Sequence, residues 1–136
     1  MSGRTGDIQT ALLRADKTMT DQDKQEQLEE LFYQGSDLHG EGRHAEAMEC
    51  FERCLAIDKD YTDALLGKAM VFSALEQYDQ AIELAKRIIE LCPNDPLAYT
   101  NLSMFYQRAG RIDEAEEAGA KARMSEWKEE LGGSDD

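Results

Sequence analysis

Basic residues are in short supply. The chain carries 15 Lys and Arg against 29 Asp and Glu, a formal net charge of -14 over 136 residues. Phosphate recognition needs a basic surface, so nucleic acid is a poor fit as a partner, and so is an acidic membrane surface. Long apolar runs are missing as well. No stretch approaches the roughly 20 apolar residues of a membrane span, and the N-terminus lacks the apolar core of a secretory leader. Three cysteines are an odd number, which argues against a disulfide framework and for thiols in a reducing cytoplasm. The ten glycines are scattered over turns, helix crossings and tails and form no phosphate-cradling loop. His39 and His44 stand at no recognisable spacing from a nucleophile. The convergent polar groups of a catalytic site are absent from the pattern, so no enzyme is expected. The two prolines, Pro93 and Pro96, flank Asn94 and Asp95 and make the sharpest punctuation in the chain.

What is present is a repeat. A shift of 34 residues, the period of one known helical repeat, brings the chain into register with itself. Ala47, Ala81 and Ala115 then align, as do Leu38, Phe72 and Tyr106, and Leu31, Leu65 and Tyr99. Within each copy, apolar residues recur at helical spacing. The first copy has Leu28, Leu31, Phe32, Gly35 and Leu38, then Ala47, Met48, Phe51, Cys54 and Leu55. The second has Leu65, Ala69 and Phe72, then Ala81, Ile82, Ala85 and Ile88. The third has Tyr99, Leu102, Ser103 and Tyr106, then the small residues Ala115, Ala118, Gly119 and Ala122. Each copy therefore predicts two helices joined by a turn. Thr62 and Asp95 are expected N-caps, with Pro96 in a first turn that needs no backbone N–H.

These aligned positions resemble the tetratricopeptide repeat, with copies at 28–61, 62–95 and 96–129. Gly35, Ala69 and Ser103 stand where the paired helices cross, because backbones approach closely only where side chains are small. Lys59 and Trp127 depart from the closing proline that the second copy keeps as Pro93. The resemblance implies an all-α, right-handed α-solenoid of three antiparallel helix–turn–helix pairs, the final helix extended to about Leu131. The repeat domain is placed at 28–131. An N-terminal extension at 1–27 is partly disordered or a short helix, with Ile8, Leu12 and Leu13 on one face. A disordered tail covers 132–136. Met19-Thr20-Asp21 also has the look of a second start of the chain.

The resemblance further implies a protein–protein interaction module or scaffold, whose first helices line a concave groove for a peptide or amphipathic helix. Carried over position by position, the binding residues are Phe32, Tyr33, Ser36, Leu66, Met70, Leu97, Thr100, Asn101, Met104 and Arg108. Glu29, His39, Asp63, Gly67, Ser73 and Gln107 lie on the groove or its edge. In chaperone-binding relatives, cations and amides in this groove hold a terminal carboxylate. The corresponding places here are Phe32, Ser36, Met70, Thr100 and Met104, none of them cationic or an amide. A carboxylate-clamp adaptor is therefore not expected. The expected ligand has apolar residues for the floor and basic residues for the acidic rim of Glu29 and Asp63. The first copy carries nine acidic and three basic residues, the third six and five.

Two other readings concern self-contact and metal. The stripe Met124, Trp127 and Leu131 is expected to cap the final helix locally, or else to form a weak homodimer from a monomer. Cys50 and Cys54, with His44 upstream, offer at most three ligands at a spacing that is not that of a zinc motif. Cys54 shares the register of Ile88 and Ala122, so it is expected in the core. No metal and no cofactor are expected.

Overall fold

The structure is a computed structural model, and it describes residues 19–132. The short helix expected around Ile8, Leu12 and Leu13 lies outside the described residues. Among the described residues six helices follow one another: α1 (Asp21–Gly40), α2 (His44–Ile57), α3 (Thr62–Ala74), α4 (Tyr78–Leu91), α5 (Pro96–Arg108) and α6 (Ile112–Gly132). They pair as α1 with α2, α3 with α4 and α5 with α6, and the pairs stack into an α-solenoid.

Local chemistry sets the helix ends. The Asp23 N–H donates to Thr20 Oγ1 (3.0 Å) and the Thr20 N–H to Asp23 Oδ2, a reciprocal cap for α1. The Leu97 N–H donates to Asp95 Oδ1 (3.0 Å), and Pro96 opens α5 as expected. The expectation for Thr62 fails: Tyr61 is the N-cap of α3, and Thr62 is already helical with no side-chain cap bond. The tight Asp58–Tyr61 turn brings the Tyr61 carbonyl to the Ala64 and Leu65 amides, so the helix starts one residue earlier. Gly42 and Gly110 turn with φ of +80° and +78°. Glu76, at the same register, adopts +60° without being glycine. Its N–H is held by the Ser73 carbonyl, and the Gln77 N–H by that of Phe72, so the surrounding bonds impose the left-handed turn.

One ring organises the first two pairs. Phe51 is 1% exposed and sits between two glycines. A Cβ on Gly35 would stand 2.7 Å from Phe51 Cε1, and one on Gly67 2.5 Å. Burying such a ring stabilises by about 1.5–3 kcal/mol, and it needs both crossings free of side chains. The register partners of Phe51 are Ala85 and Gly119, while those of Gly35 are Ala69 and Ser103. Bulk on the second helix thus falls as bulk on the first rises.

Inner and outer faces differ in chemistry at fixed register. Ala64, Val71, Ala98 and Phe105 are buried where α3 and α5 meet the preceding pair. The same positions on α1 are Glu30 and Asp37, both exposed. On the second helices, Met48 and Leu55, then Ile82 and Ile89, pack toward the core, and α6 has the exposed Glu116 and Arg123 there. Trp127 does not close the end as a cap. It is 56% exposed and Met124 is 53% exposed. At 21 residues α6 outruns the 13 of α5, so its final turns have no neighbour to pack against among the described residues.

Two glycine substitutions should move stability in opposite directions. Gly67→Ala collides with the Phe51 ring and is expected to destabilise by about 1–3 kcal/mol. Gly119→Ala meets only ordinary contacts, 3.5 Å from Ser103 Oγ, and should stabilise by about 0.5–1 kcal/mol. Urea denaturation midpoints of the two variants against the parent measure both signs.

Candidate functional site

The first helices line one side of the stack. α1 packs directly on α3. Arg108 of α5 donates through Nη1 to Ser73 Oγ of α3 (2.8 Å), a bond that spans 35 residues of sequence. The groove residues inferred from the repeat register fall into three groups on this frame.

Leu66, Met70 and Met104 are half-buried against one core cluster built on Ala69, Ile82, Leu102 and Phe105. They form a floor with only part of each side chain open. Phe32 is half-buried in the neighbouring cluster, its ring centroid 6.1 Å from that of Phe51 and 5.7 Å from that of Tyr33. Ser36, His39 and Asn101 are also half-buried. Tyr33 and Leu97 stand out instead, at 62% and 67% exposed. Of the two leucines placed on the groove, Leu66 packs between helices and Leu97 does not. Thr100, Gln107 and Arg108 are exposed, and Thr100 spends its hydroxyl on the Pro96 carbonyl (3.1 Å).

Two edge positions are withdrawn from any ligand. Gly67 is buried beneath the Phe51 ring. Ser73 is 4% exposed, its hydroxyl held by Arg108. The reason is the same for both: they face the adjacent pair, a direction that a single-repeat pattern does not reveal. Tyr33 shares its register with Gly67, and it is exposed because no helix precedes α1 among the described residues.

Electrostatics divide the site. Glu29 and Asp63 are exposed near Tyr61, whose hydroxyl is pushed up to about 12, first by burial and then by Asp63, with Glu29 adding to it. This end repels further negative charge, and Arg108 lies at the other. Cys50 and Cys54 are buried, and burial pushes both thiols up. Cys54 Sγ donates to the Leu28 carbonyl (3.6 Å), a core contact. Among the described residues, no group of three or more His, Cys, Asp or Glu side chains is placed to hold a metal ion.

The histidines meet in a way the spacing did not suggest. His39 Nδ1 and His44 Nδ1 are 3.3 Å apart across the α1–α2 turn, so one ring donates and the other accepts. Burial, and then the neighbouring His44, pull the His39 pKa down.

Stacked helical pairs with an apolar floor between charged edges define a solenoid of the protein-binding class. Two family models described as tetratricopeptide repeat match residues 38–100 and 84–117, together more than half of the sequence. The chain belongs to the tetratricopeptide repeat family. It is 30% identical over 96 residues to the photosystem I assembly protein Ycf3 of Synechococcus sp. (strain CC9605), covering 68% of this chain and 54% of that one. It thus spans about half the length of the Ycf3 relatives it matches. Among solved structures it is similar to MamA, with a TM-score of 0.69 and 26% identity over 76% of this chain and 61% of that one. The second repeat domain of Spaghetti (RPAP3), solved with an HSP90 peptide of sequence SRMEEVD, gives a TM-score of 0.66 at 22% identity. That match covers 76% of this chain and 94% of the other, and shows a shared fold. No helix among the described residues is long and apolar enough to cross a membrane.

The His39 pKa gives a pH signature. A depressed folded-state value means the unfolded chain binds the proton more readily, so the contribution is present above about pH 6.5 and is lost as pH falls through the folded value. The parent should lose urea resistance between about pH 7.5 and 5.5. His39→Gln, which carries no titrating ring, should lose clearly less over the same interval.

Proposed function

We propose that this chain is a protein–protein interaction module that holds an apolar peptide or amphipathic helix along the side lined by α1, α3 and α5. The observation that carries this is the shared floor of Leu66, Met70 and Met104, fixed from below by one core cluster and edged by the exposed Leu97 and Tyr33. Its frame is already folded, so the ligand bears most of the ordering cost. Methionine adapts to different apolar shapes. Glu29 and Asp63 favour basic residues on the ligand near α1 and α3. Relatives named as assembly proteins suit a role in bringing other proteins together. The module is not an enzyme in this reading. It works as a monomer in the cytoplasm, a compartment suggested by the odd cysteine count.

Capture from a lysate of the source cells tests this, with Tyr33→Ala/Met70→Ala/Arg108→Ala protein as the paired control. A partner held by the parent and reduced at least tenfold by the triple variant, with helicity retained by circular dichroism, is the expected outcome. Equal capture by both forms would sink the reading. A floor of this composition is a poor clamp for a terminal carboxylate, since Arg108 already serves Ser73. Calorimetric titration with the peptide SRMEEVD should therefore show no saturable binding. A saturating isotherm would restore the clamp.

Self-association is the second reading, favoured by the exposure of Met124 and Trp127 on the overhanging end of α6. Light scattering against concentration distinguishes it from the monomer.

A further inference from the structure

His39 and His44 are the only histidines of the chain, and the α1–α2 turn brings them face to face. Their Nδ1 atoms are 3.3 Å apart and their ring centroids 5.2 Å apart. The first separation is long for a hydrogen bond, whose donor and acceptor lie about 2.7–3.2 Å apart. It is the edge of a metal tetrahedron. Two zinc–nitrogen bonds of about 2.0 Å at the tetrahedral angle hold their nitrogens about 3.3 Å apart. A square-planar ion with bonds of about that length draws its neighbouring nitrogens to about 2.8 Å. The ring centroids agree. A centroid lies about 1.15 Å behind its nitrogen, so two rings aimed at one tetrahedral ion have centroids about 5.2 Å apart. Rings set end to end along a hydrogen bond of the same length would have them about 5.6 Å apart.

The repeat does not require this pair. The same two positions are Ser73 and Tyr78 in the second copy, and Gln107 and Ile112 in the third. All three turns nevertheless close with the same backbone bond. The Arg43 N–H donates to the Leu38 carbonyl (2.9 Å), Gln77 to Phe72 (2.8 Å) and Arg111 to Tyr106 (2.8 Å). The turn therefore holds both rings in place without help from them, and little order is lost when a ligand arrives. Both rings are half-buried. Asp37, Glu41 and Glu46 flank them in the chain, and the intervening Arg43 is bound to Glu41 and Glu46. The charge that remains favours a cation.

We propose that His39 and His44 chelate one zinc ion through their Nδ1 atoms and so staple α1 to α2. Each ring then carries its proton on Nε2 and presents the Nδ1 lone pair to the ion. No third His, Cys, Asp or Glu stands with the two rings among the described residues, so water fills the other two positions. Cys54 takes no part, its thiol being held by the Leu28 carbonyl. The spacing in the sequence predicts no metal, because the rings meet only across the folded turn. An ion that binds only the folded turn stabilises the first pair by mass action. The site shares no residue with the floor of Leu66, Met70 and Met104, so it stands or falls apart from the proposed groove.

Zinc chloride titrated into untagged, chelator-stripped protein tests this. Calorimetry should show one ion per chain. NMR reads both rings directly, since the chain has two histidines. Their signals should move together to an end point at one equivalent, and the ring nitrogen shifts should place both protons on Nε2. A pair joined only by a hydrogen bond keeps one proton on Nδ1. His39→Gln and His44→Gln should each weaken zinc binding at least tenfold, with helicity retained by circular dichroism, and Cys92→Ser should leave it unchanged. Saturating zinc should raise the thermal midpoint of the parent and of neither histidine variant. The proposal fails if zinc moves one ring alone or neither, if the parent's midpoint does not rise, or if the loss of binding follows Cys92. It also fails if His39→Gln/His44→Gln protein binds zinc as tightly as the parent, which would place the ion on surface carboxylates. One ion for two chains would make the site a joint one between copies and overturn the staple within one chain.

Discussion

Two helices can cross at close range only if the side chains between them share a fixed volume, and at the first crossings that volume belongs to Phe51. Its ring takes the space left by Gly35 in its own pair and Gly67 in the next. Across the copies the allocation shifts from Phe51 with Gly35, to Ala85 with Ala69, to Gly119 with Ser103. The summed bulk falls along this series, so each crossing is filled differently and no copy repeats another's core. The last member of the series has little side chain of its own, and this leaves a hollow over Gly119 at the end of the stack.

A solenoid is stabilised by each unit and by contacts between neighbours, so its two ends are the places where neighbours are missing. Among the described residues both ends of the stack are marked with charge. Glu30 and Asp37 replace the buried Ala64 and Val71 at one end, and Glu116 and Arg123 replace Ile82 and Ile89 at the other. The ends are not equivalent. The first presents acid and the exposed Tyr33, and the last presents one charge of each sign around a gap.

The excess of acid is distributed with similar consequences. It adds to burial in raising the Tyr61 pKa near Asp63 and Glu29, and it leaves the α5–α6 end closer to balance. Several cations are committed to structure. Arg111 binds Glu114 through two bonds of 2.7 Å and lies over the Tyr106 ring. Arg87 reaches Asp60 across the first junction (2.8 Å). Arg108 joins α5 to α3. These bonds are individually modest, and the last two tie consecutive pairs together, Arg108 holding the placement of α5 against α3.

The 34-residue period, the six helices, the small crossing residues and the Asp95–Pro96 helix start were legible in the sequence, because they follow from local spacing and backbone chemistry. The buried character of Val71 and Phe105 was legible only in part. Their counterpart in the first copy is Asp37, so the pattern breaks where no preceding pair stands among the described residues. The candidate floor was readable from the register, but exposure was not. Leu66 and Leu97 carry the same side chain, yet one packs on the core and the other stands in solvent. The sequence by itself determined that pairs form and repeat. The tertiary structure alone decided which faces meet, that Trp127 overhangs, and that His39 reaches His44. The physical reason is that helix formation depends on residues a turn apart, whereas burial depends on which helix arrives from far along the chain.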